Sequence, residues 1–160
     1  MRKVLTTFGF AKSAAQLDIS RPTFIEYAKR HNYSYFEPSF DFFKKSEKRP
    51  YSWLKIPLFL DLFKLFDEVL WLDADVVVCD YSVDIASEMA GPECHGVVTH
   101  LVHGQAIPNC GVWFLKAEDK TSEMLSLAWS KEQYLHHPWW EQRAIIDVWQ
   151  ENPSFAGCSL

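Results

Sequence analysis

Asp73 and Asp75 are the two side chains whose type and spacing most directly suggest chemistry. They end the apolar run Val69-Leu70-Trp71-Leu72, and Val76-Val77-Val78 follows them at once. Such runs predict a strand buried on both faces, and acids at i and i+2 of a strand point to one side of it. Two like charges on one side of a core strand are costly unless a cation lies between them. A hard divalent ion with oxygen ligands answers that cost, and it usually keeps open positions for phosphate oxygens. The chain is therefore expected to hold a metal ion at a strand end.

Elements on either side must position that strand end. Val4 to Phe8 reads as a first strand with a turn at Gly9, and residues from about Ser13 to His31 read as a helix that Pro22 interrupts or restarts. Tyr33 to Phe36 alternates and is aromatic, which predicts a second strand, and a lysine-rich loop runs from Phe43 to Pro50. A helix is expected to become regular near Ile56, with Lys55 in its first turn beside Pro57. Val97 to Val102 and Cys110 to Leu115 read as further strands, Thr121 to about Lys131 and Trp139 to Trp149 as helices, with Asn152-Pro153 closing the last. Strands alternating with helices from the N-terminus predict one α/β domain over residues 1–160, with a mostly parallel central sheet flanked by helices. Ligands gather outside the C-terminal ends of strands in such sheets, where Asp73 and Asp75 are expected to lie.

The 160 residues suffice for one sizeable core, and a composition 48% hydrophobic and 16% aromatic argues against disorder. A net charge of −5, with no basic cluster beyond Lys44, Lys45, Lys48 and Arg49, argues against a nucleic-acid partner. Cys79, Cys94, Cys110 and Cys158 are widely spaced, without a Cys-x-x-Cys pair, and read as reduced thiols of a cytoplasmic protein. No signal peptide is apparent at the start, and Asp61, Lys64, Asp67 and Glu68 break the most apolar window, so no membrane span is expected. A domain cut from a longer anchored, lumenal protein is the alternative.

Several segments together resemble a known fold family. Trp53-Leu54-Lys55-Ile56-Pro57-Leu58, Val69 to Asp75, Asn109-Cys110-Gly111-Val112-Trp113-Phe114-Leu115-Lys116 and Trp140-Glu141-Gln142-Arg143-Ala144-Ile145 are similar, in order and spacing, to the nucleotide-sugar glycosyltransferases of the Rossmann-like GT-A fold. The pattern is most like glycosyltransferase family 34, the galactosyl, mannosyl and xylosyl transferases, and next most like family 8. The resemblance implies a retaining transfer of a hexose or pentose from a UDP- or GDP-sugar to a glycan or small-molecule acceptor. It implies that Asp73 and Asp75 of the Asp-x-Asp motif hold Mn²⁺ (or Mg²⁺) against the donor diphosphate, with Ala74 between them. Lys55 would touch the phosphates as a mobile point charge at the edge of the site. Glu141 and Gln142 would lie beside the anomeric carbon. Asn109 would bond a sugar hydroxyl, Gly111 would let backbone approach the donor, and Thr6, Thr7 and Gly9 would close the first strand under the base and ribose. Two departures stand out: Glu141 replaces the usual Asp, and no His follows His137, where the family has a further metal ligand after its final helix. The chain being short at the C-terminus, a water in that position, and lost activity all stay open.

Competing readings attach to the same residues. Glu141 could be a helix-surface acid paired with Arg143, and Lys55 an ordinary solvated helix-start lysine. Cys94, His95, His100 and His103 could bind zinc, although their spacing matches no common finger or ribbon; His103 could instead lie near the donor sugar in a loop before Asn109. Trp139 and Trp140, after His136-His137-Pro138, could stack on a sugar or simply fill the core. A phosphohydrolase of the Asp-x-Asp-x-Thr type would need Thr where Val77 stands. A catalytically weak or inactive module that binds a nucleotide sugar or glycan is the non-enzymatic alternative.

Overall fold

The computed structural model describes residues 1–44, 49–89 and 94–159. Lys45 and Lys48 of the predicted basic loop lie outside them. Six strands form one sheet in the order β2-β1-β3-β5-β4-β6. The strands are β1 (Lys3–Thr6), β2 (Ser34–Phe36), β3 (Glu68–Leu72), β4 (His95–Val102), β5 (Gln105–Lys116) and β6 (Cys158–Ser159). The helices are α1 (Lys12–Arg30), α2 (Phe40–Phe43), α3 (Lys55–Leu62), α4 (Asp119–Ser130) and α5 (Trp140–Glu151).

The sheet is mixed rather than mostly parallel. β1 pairs parallel with β2 and β3, and β4 parallel with β6, but β5 runs antiparallel to both β3 and β4. The reason is local: β4 and β5 are joined by the two-residue turn His103-Gly104, both at positive φ (49° and 80°), which is the backbone of a tight hairpin and cannot make a parallel crossover. His103 therefore sits at a hairpin tip, and Asn109 lies within β5 rather than after a loop.

Strand alternation sorts the core into two layers. Val4, Val69, Trp71, Trp113 and Leu115 join the cluster under α3, α4 and α5. Leu5, Leu70, Leu72 and Phe114 join the cluster under α1. Helix α1 runs through Pro22 without stopping, carried by Leu17, Phe24, Tyr27 and Ala28 on its buried face. The C-terminal segment is pinned by His95, which is fully buried: Trp113 Nε1–H donates to its Nδ1 (3.2 Å), and its Nε2–H donates to the Phe155 carbonyl (2.7 Å). Among the described residues no helix is long and apolar enough to cross a membrane, and Cys79, Cys94 and Cys110 are free thiols.

Candidate functional site

Strand β3 stops at Leu72 because its pairing runs out there: β1 ends opposite Trp71, and the last β5 partner is Val112, beyond which β5 pairs with β4 alone. The chain turns at Asp73, whose carbonyl accepts from the Val76 N–H (3.0 Å). Asp73 and Asp75 thus stand on a turn after the strand rather than along it, and Val76-Val77-Val78 is not strand. Val76 and Val78 pack on the α1 layer, the Val78 N–H donating to Thr23 Oγ1 (3.3 Å), while Val77 is exposed. Both carboxylates nevertheless line the same cleft, of about 890 Å³.

A break in the β4–β5 ladder shapes the floor of this cleft. Val97 pairs with Trp113, but the next residue, Val98, pairs with Asn109, which leaves residues 110–112 without partners on β4. This bulge pushes Cys110 and Gly111 toward the end of β3. The Gly111 carbonyl accepts from the Asp73 N–H (2.7 Å), and the Gly111 N–H donates to Asn109 Oδ1 (2.7 Å). A Cβ at residue 111 would come within 2.8 Å of Asn109 Oδ1 and 3.0 Å of Asp73 Oδ2. Glycine is needed here because Asp73 approaches closely. Asn109 also meets His100, Nδ2 to Nδ1 at 3.3 Å.

Lys55, the first residue of α3, reaches into the space beneath Asp73. A 3-10 turn over Tyr51–Leu54 runs directly into α3 and buries Trp53, Leu54 and Ile56, so Lys55 cannot turn outward. Its Nζ lies 3.1 Å from Asp73 Oδ1, 3.0 Å from Glu141 Oε1 and 3.5 Å from the Cys110 carbonyl, with the Trp71 ring at 4.9 Å. Only 3% of Lys55 is exposed. Burial alone would lower its pKa, but Asp73 and then Glu141 outweigh that, so the ammonium is held above the usual lysine range and stays charged. It is a fixed, buried cation, in contrast to the mobile phosphate contact or solvated lysine expected. Burial raises the nearby Cys110 thiol and keeps it protonated.

Glu141 stands in the first turn of α5 and is 4% exposed. Its Oε1 pairs with Lys55; Arg143 pairs instead with Asp147 (3.3 Å). Its Oε2 is buried and has no hydrogen-bond partner among the described residues. Gln142 Oε1 accepts from the Cys110 N–H (3.1 Å), tying α5 to the bulge. Trp71 Nε1–H donates to Asp73 Oδ1 (2.6 Å), so that oxygen is shared between an indole and an ammonium.

Lys55, Asp73, Ala74, Asp75, Asn109, Gly111, Glu141 and Gln142 all line the one cleft. Thr6, Thr7 and Gly9 do not. Both threonines are fully buried, with hydroxyls that have no partner among the described residues, and a Cβ at Gly9 would lie 2.6 Å from the Ser13 carbonyl oxygen, so Gly9 packs against α1. Phe8, Phe10 and Tyr51 line the cleft at that end, Phe10 and Tyr51 with ring centroids 3.8 Å apart. The spacing Phe8-Gly9-Phe10 after an apolar strand was the available signal for them. Trp139 and Trp140 line the cleft too and are 39% and 48% exposed, so neither fills the core.

A divalent ion is compatible with this donor set. Asp73 Oδ2 and the carboxylate of Asp75 are hard oxygen donors on the cleft, and Asp75 has no other partner among the described residues. Among those residues no group of three His, Cys, Asp or Glu side chains could enclose an ion. Two carboxylates with the rest supplied by water and phosphate is the usual arrangement for Mg²⁺-like ions. The zinc reading of Cys94, His95, His100 and His103 fails because both ring nitrogens of His95 are taken.

No protein-family model matches the chain, and no curated protein does. Among solved structures, it is similar to the crystal structure of a glycosyltransferase involved in the glycosylation of the major capsid of PBCV-1. The TM-score is 0.71 at 19% identity, over 100% of this chain and 80% of that one. A second structure, A197 from STIV, gives a TM-score of 0.43 at 16% identity, over 79% and 68% of the two chains, too distant to weigh. The first likeness shows that the chain has the fold of that glycosyltransferase.

Proposed function

We propose that this chain is a metal-dependent, retaining glycosyltransferase, of the kind grouped in family 34, that moves a hexose or pentose from a UDP- or GDP-sugar to a glycan or small-molecule acceptor. One observation carries the reading: residues from four distant segments, expected from sequence to serve donor chemistry, line a single cleft around the turn at Asp73. The shared fold supports it.

In this reading Asp73 Oδ2 and Asp75 hold Mn²⁺ or Mg²⁺, which would bind the diphosphate and offset the charge that develops on it as the sugar departs. Lys55 holds Asp73 Oδ1 and Glu141 Oε1 in fixed positions from below. That leaves Asp73 one oxygen for the ion and Glu141 one for the substrate. Glu141 Oε2, buried and unpartnered, lies beside the anomeric carbon, where a carboxylate stabilises oxocarbenium-like charge. In the transfer, the bond from the anomeric carbon to the β-phosphate oxygen breaks and its electron pair leaves with the diphosphate. A bond from the acceptor oxygen to the anomeric carbon forms, and the acceptor's hydroxyl proton passes to the departing phosphate. Phe8, Phe10 and Tyr51 offer an apolar wall for the nucleoside.

The test is to titrate Mn²⁺ and UDP into the protein by calorimetry, then follow hydrolysis of UDP- and GDP-sugars without acceptor. UDP binding that depends on Mn²⁺, and slow cleavage of at least one donor that Asp75→Ala abolishes, are the expected results. Unchanged turnover in Asp75→Ala would remove the metal from the mechanism. Donor binding without turnover at high enzyme would favour the second reading, a module that binds a nucleotide sugar without transferring it. That reading draws on Lys55 already occupying one oxygen of each acid.

A further inference from the structure

Two of the seven tryptophans behave unlike the rest. Trp53, Trp71 and Trp113 are fully buried, Trp149 nearly so, and Trp129 is partly buried against the core, whereas Trp139 and Trp140 stand well exposed on the wall of the cleft. Their backbone is not relaxed. Trp140 has φ of 42°, in the left-handed region that bulky side chains rarely adopt, and it opens α5 there without glycine. The preceding turn locks this geometry: the Trp139 N–H donates to His137 Nδ1 (3.0 Å) and the Trp140 N–H to the His137 carbonyl (2.9 Å). Strain of this kind persists where surrounding structure over-determines it, and it clusters at ligand sites.

The next residue in the chain is Glu141. Its unpartnered Oε2 is an acceptor with no donor, 96% of the residue being buried against an exposure of 4%. Exposed indoles on the cleft that Glu141 also lines suit one ligand chemistry in particular. A pyranose has a face of C–H groups that packs on an aromatic ring and a rim of hydroxyls that can donate to a carboxylate. A phosphate or carboxylate ligand that brings no cation of its own would be repelled by Glu141, and a purely apolar ligand would leave Oε2 unsatisfied.

Resting on the transferase reading, we propose that Trp139 and Trp140 are the acceptor platform, stacking a pyranose of the acceptor glycan while Glu141 Oε2 accepts one of its hydroxyl hydrogens. Trp140 is bonded directly to Glu141, and Glu141 is linked through Lys55 to Asp73. The acceptor is thereby held next to the carboxylates that anchor the donor. The nucleoside end of the donor belongs to the separate aromatic group of Phe8, Phe10 and Tyr51.

Tryptophan emission reads the proposal directly, because Trp139 and Trp140 are the most exposed indoles among the described residues. The probes are methyl pyranosides of glucose, galactose, mannose and xylose, each as both anomers, titrated into the wild-type chain. At least one should give a saturable blue shift, and its affinity, measured by calorimetry because the variant lacks the reporting indoles, should fall about tenfold or more in Trp139→Ala/Trp140→Gly, the scale of losing an aromatic anchor. Gly at residue 140 adopts the positive φ without strain, so that variant should keep the wild-type melting temperature. Leu65→Ala, on an exposed side chain away from the cleft, should respond as wild type does. No shift with any pyranoside, or equal affinity in the double variant, overturns the platform. Mn²⁺ and UDP titrated separately into the wild type distinguish the two readings. A pyranoside response without a UDP response retires the donor reading and keeps the platform, and the reverse retires the platform alone.

Discussion

Two lysines in this protein each face two carboxylates, and they serve different ends. Lys131 follows the end of α4, with its Nζ 2.8 Å from Asp147 Oδ2 and 2.7 Å from Glu151 Oε2, both on α5. Glu151 is largely solvated, and Arg143 also touches Asp147. That cluster fastens one helix to another where water can replace Glu151, although Lys131 and Asp147 are 13% and 17% exposed. Lys55 has nearly the same inventory, but its side chain and that of Glu141 are 4% and 6% exposed, and Glu141 Oε2 has nothing to bind. A fastening would not leave a buried charge half satisfied, because doing so costs stability. The incomplete cluster lines a cleft and the complete one lies nearer the surface, which fits the proposed binding role of the first and a supporting role of the second.

The largest effect should separate them outright. Lys55→Met leaves Glu141 buried without its cation, and urea unfolding at pH 7 should show a loss of about 3–5 kcal/mol, with little dependence on salt. Adding Glu141→Gln to Lys55→Met should recover part of it, since the stranded charge is then gone. A loss no greater than that of a surface pair would erase the distinction.

His95 sharpens the comparison as a buried group kept neutral instead of charged. Its neighbours are an indole N–H and a carbonyl, and burial first, with Lys120 adding to it, lowers its pKa against the opposing pull of Phe155. The unfolded chain therefore binds a proton that the folded chain resists. Stability should be flat above about pH 6.5 and fall as pH drops from there toward the folded pKa, with a limiting slope of about 1.4 kcal/mol per pH unit. Chemical denaturation across pH 5 to 8 reads this, and His95→Gln should flatten the curve; an unaltered slope would place the proton elsewhere.

Gly111→Ala should touch function more than stability. The new methyl meets the ends of the Asn109 and Asp73 side chains rather than backbone, so a melt should show about 1 kcal/mol or less. Mn²⁺ affinity by calorimetry should drop about tenfold as Asp73 Oδ2 is displaced; undiminished affinity would argue that this oxygen is not a ligand.

Lys131→Met should cost least, about 0.5–1 kcal/mol, and the difference should shrink at high salt. The hydrogen bond from Lys131 is the leading cause that holds the Asp147 carboxyl below its usual range. The contribution is thus present above about pH 3.9 and fades as pH falls through the lowered folded value. A salt-independent loss would mean that this cluster is more deeply buried in effect than its exposure implies.

Much of the site was legible residue by residue. Asp73 and Asp75 stood out because acids rarely end a core strand without a use, and Glu141 and Gln142 because their order and spacing matched a resembling family. Thr6, Thr7 and Gly9 were misplaced for a reason of strand geometry. The side chains of β1 alternate into two packed layers, so small residues at its end are buried and Phe8 and Phe10 reach the cleft instead. Trp139 and Trp140 were ambiguous because an indole serves a core or a sugar equally well, and only exposure separates the two.

By itself the sequence determined the four longer helices, though not α2, and the apolar cores of the inner strands, since hydrophobic period and chain punctuation are local properties. Tertiary structure alone decided the rest. The hairpin at His103-Gly104 turned a parallel expectation into a mixed sheet, and the bulge over residues 110–112 brought Gly111 against Asp73. Packing drew Lys55 inward between acids 18 and 86 residues away from it in the chain. Distances of that kind are set by how layers stack, and a side chain's charge state follows from what the stacking puts beside it.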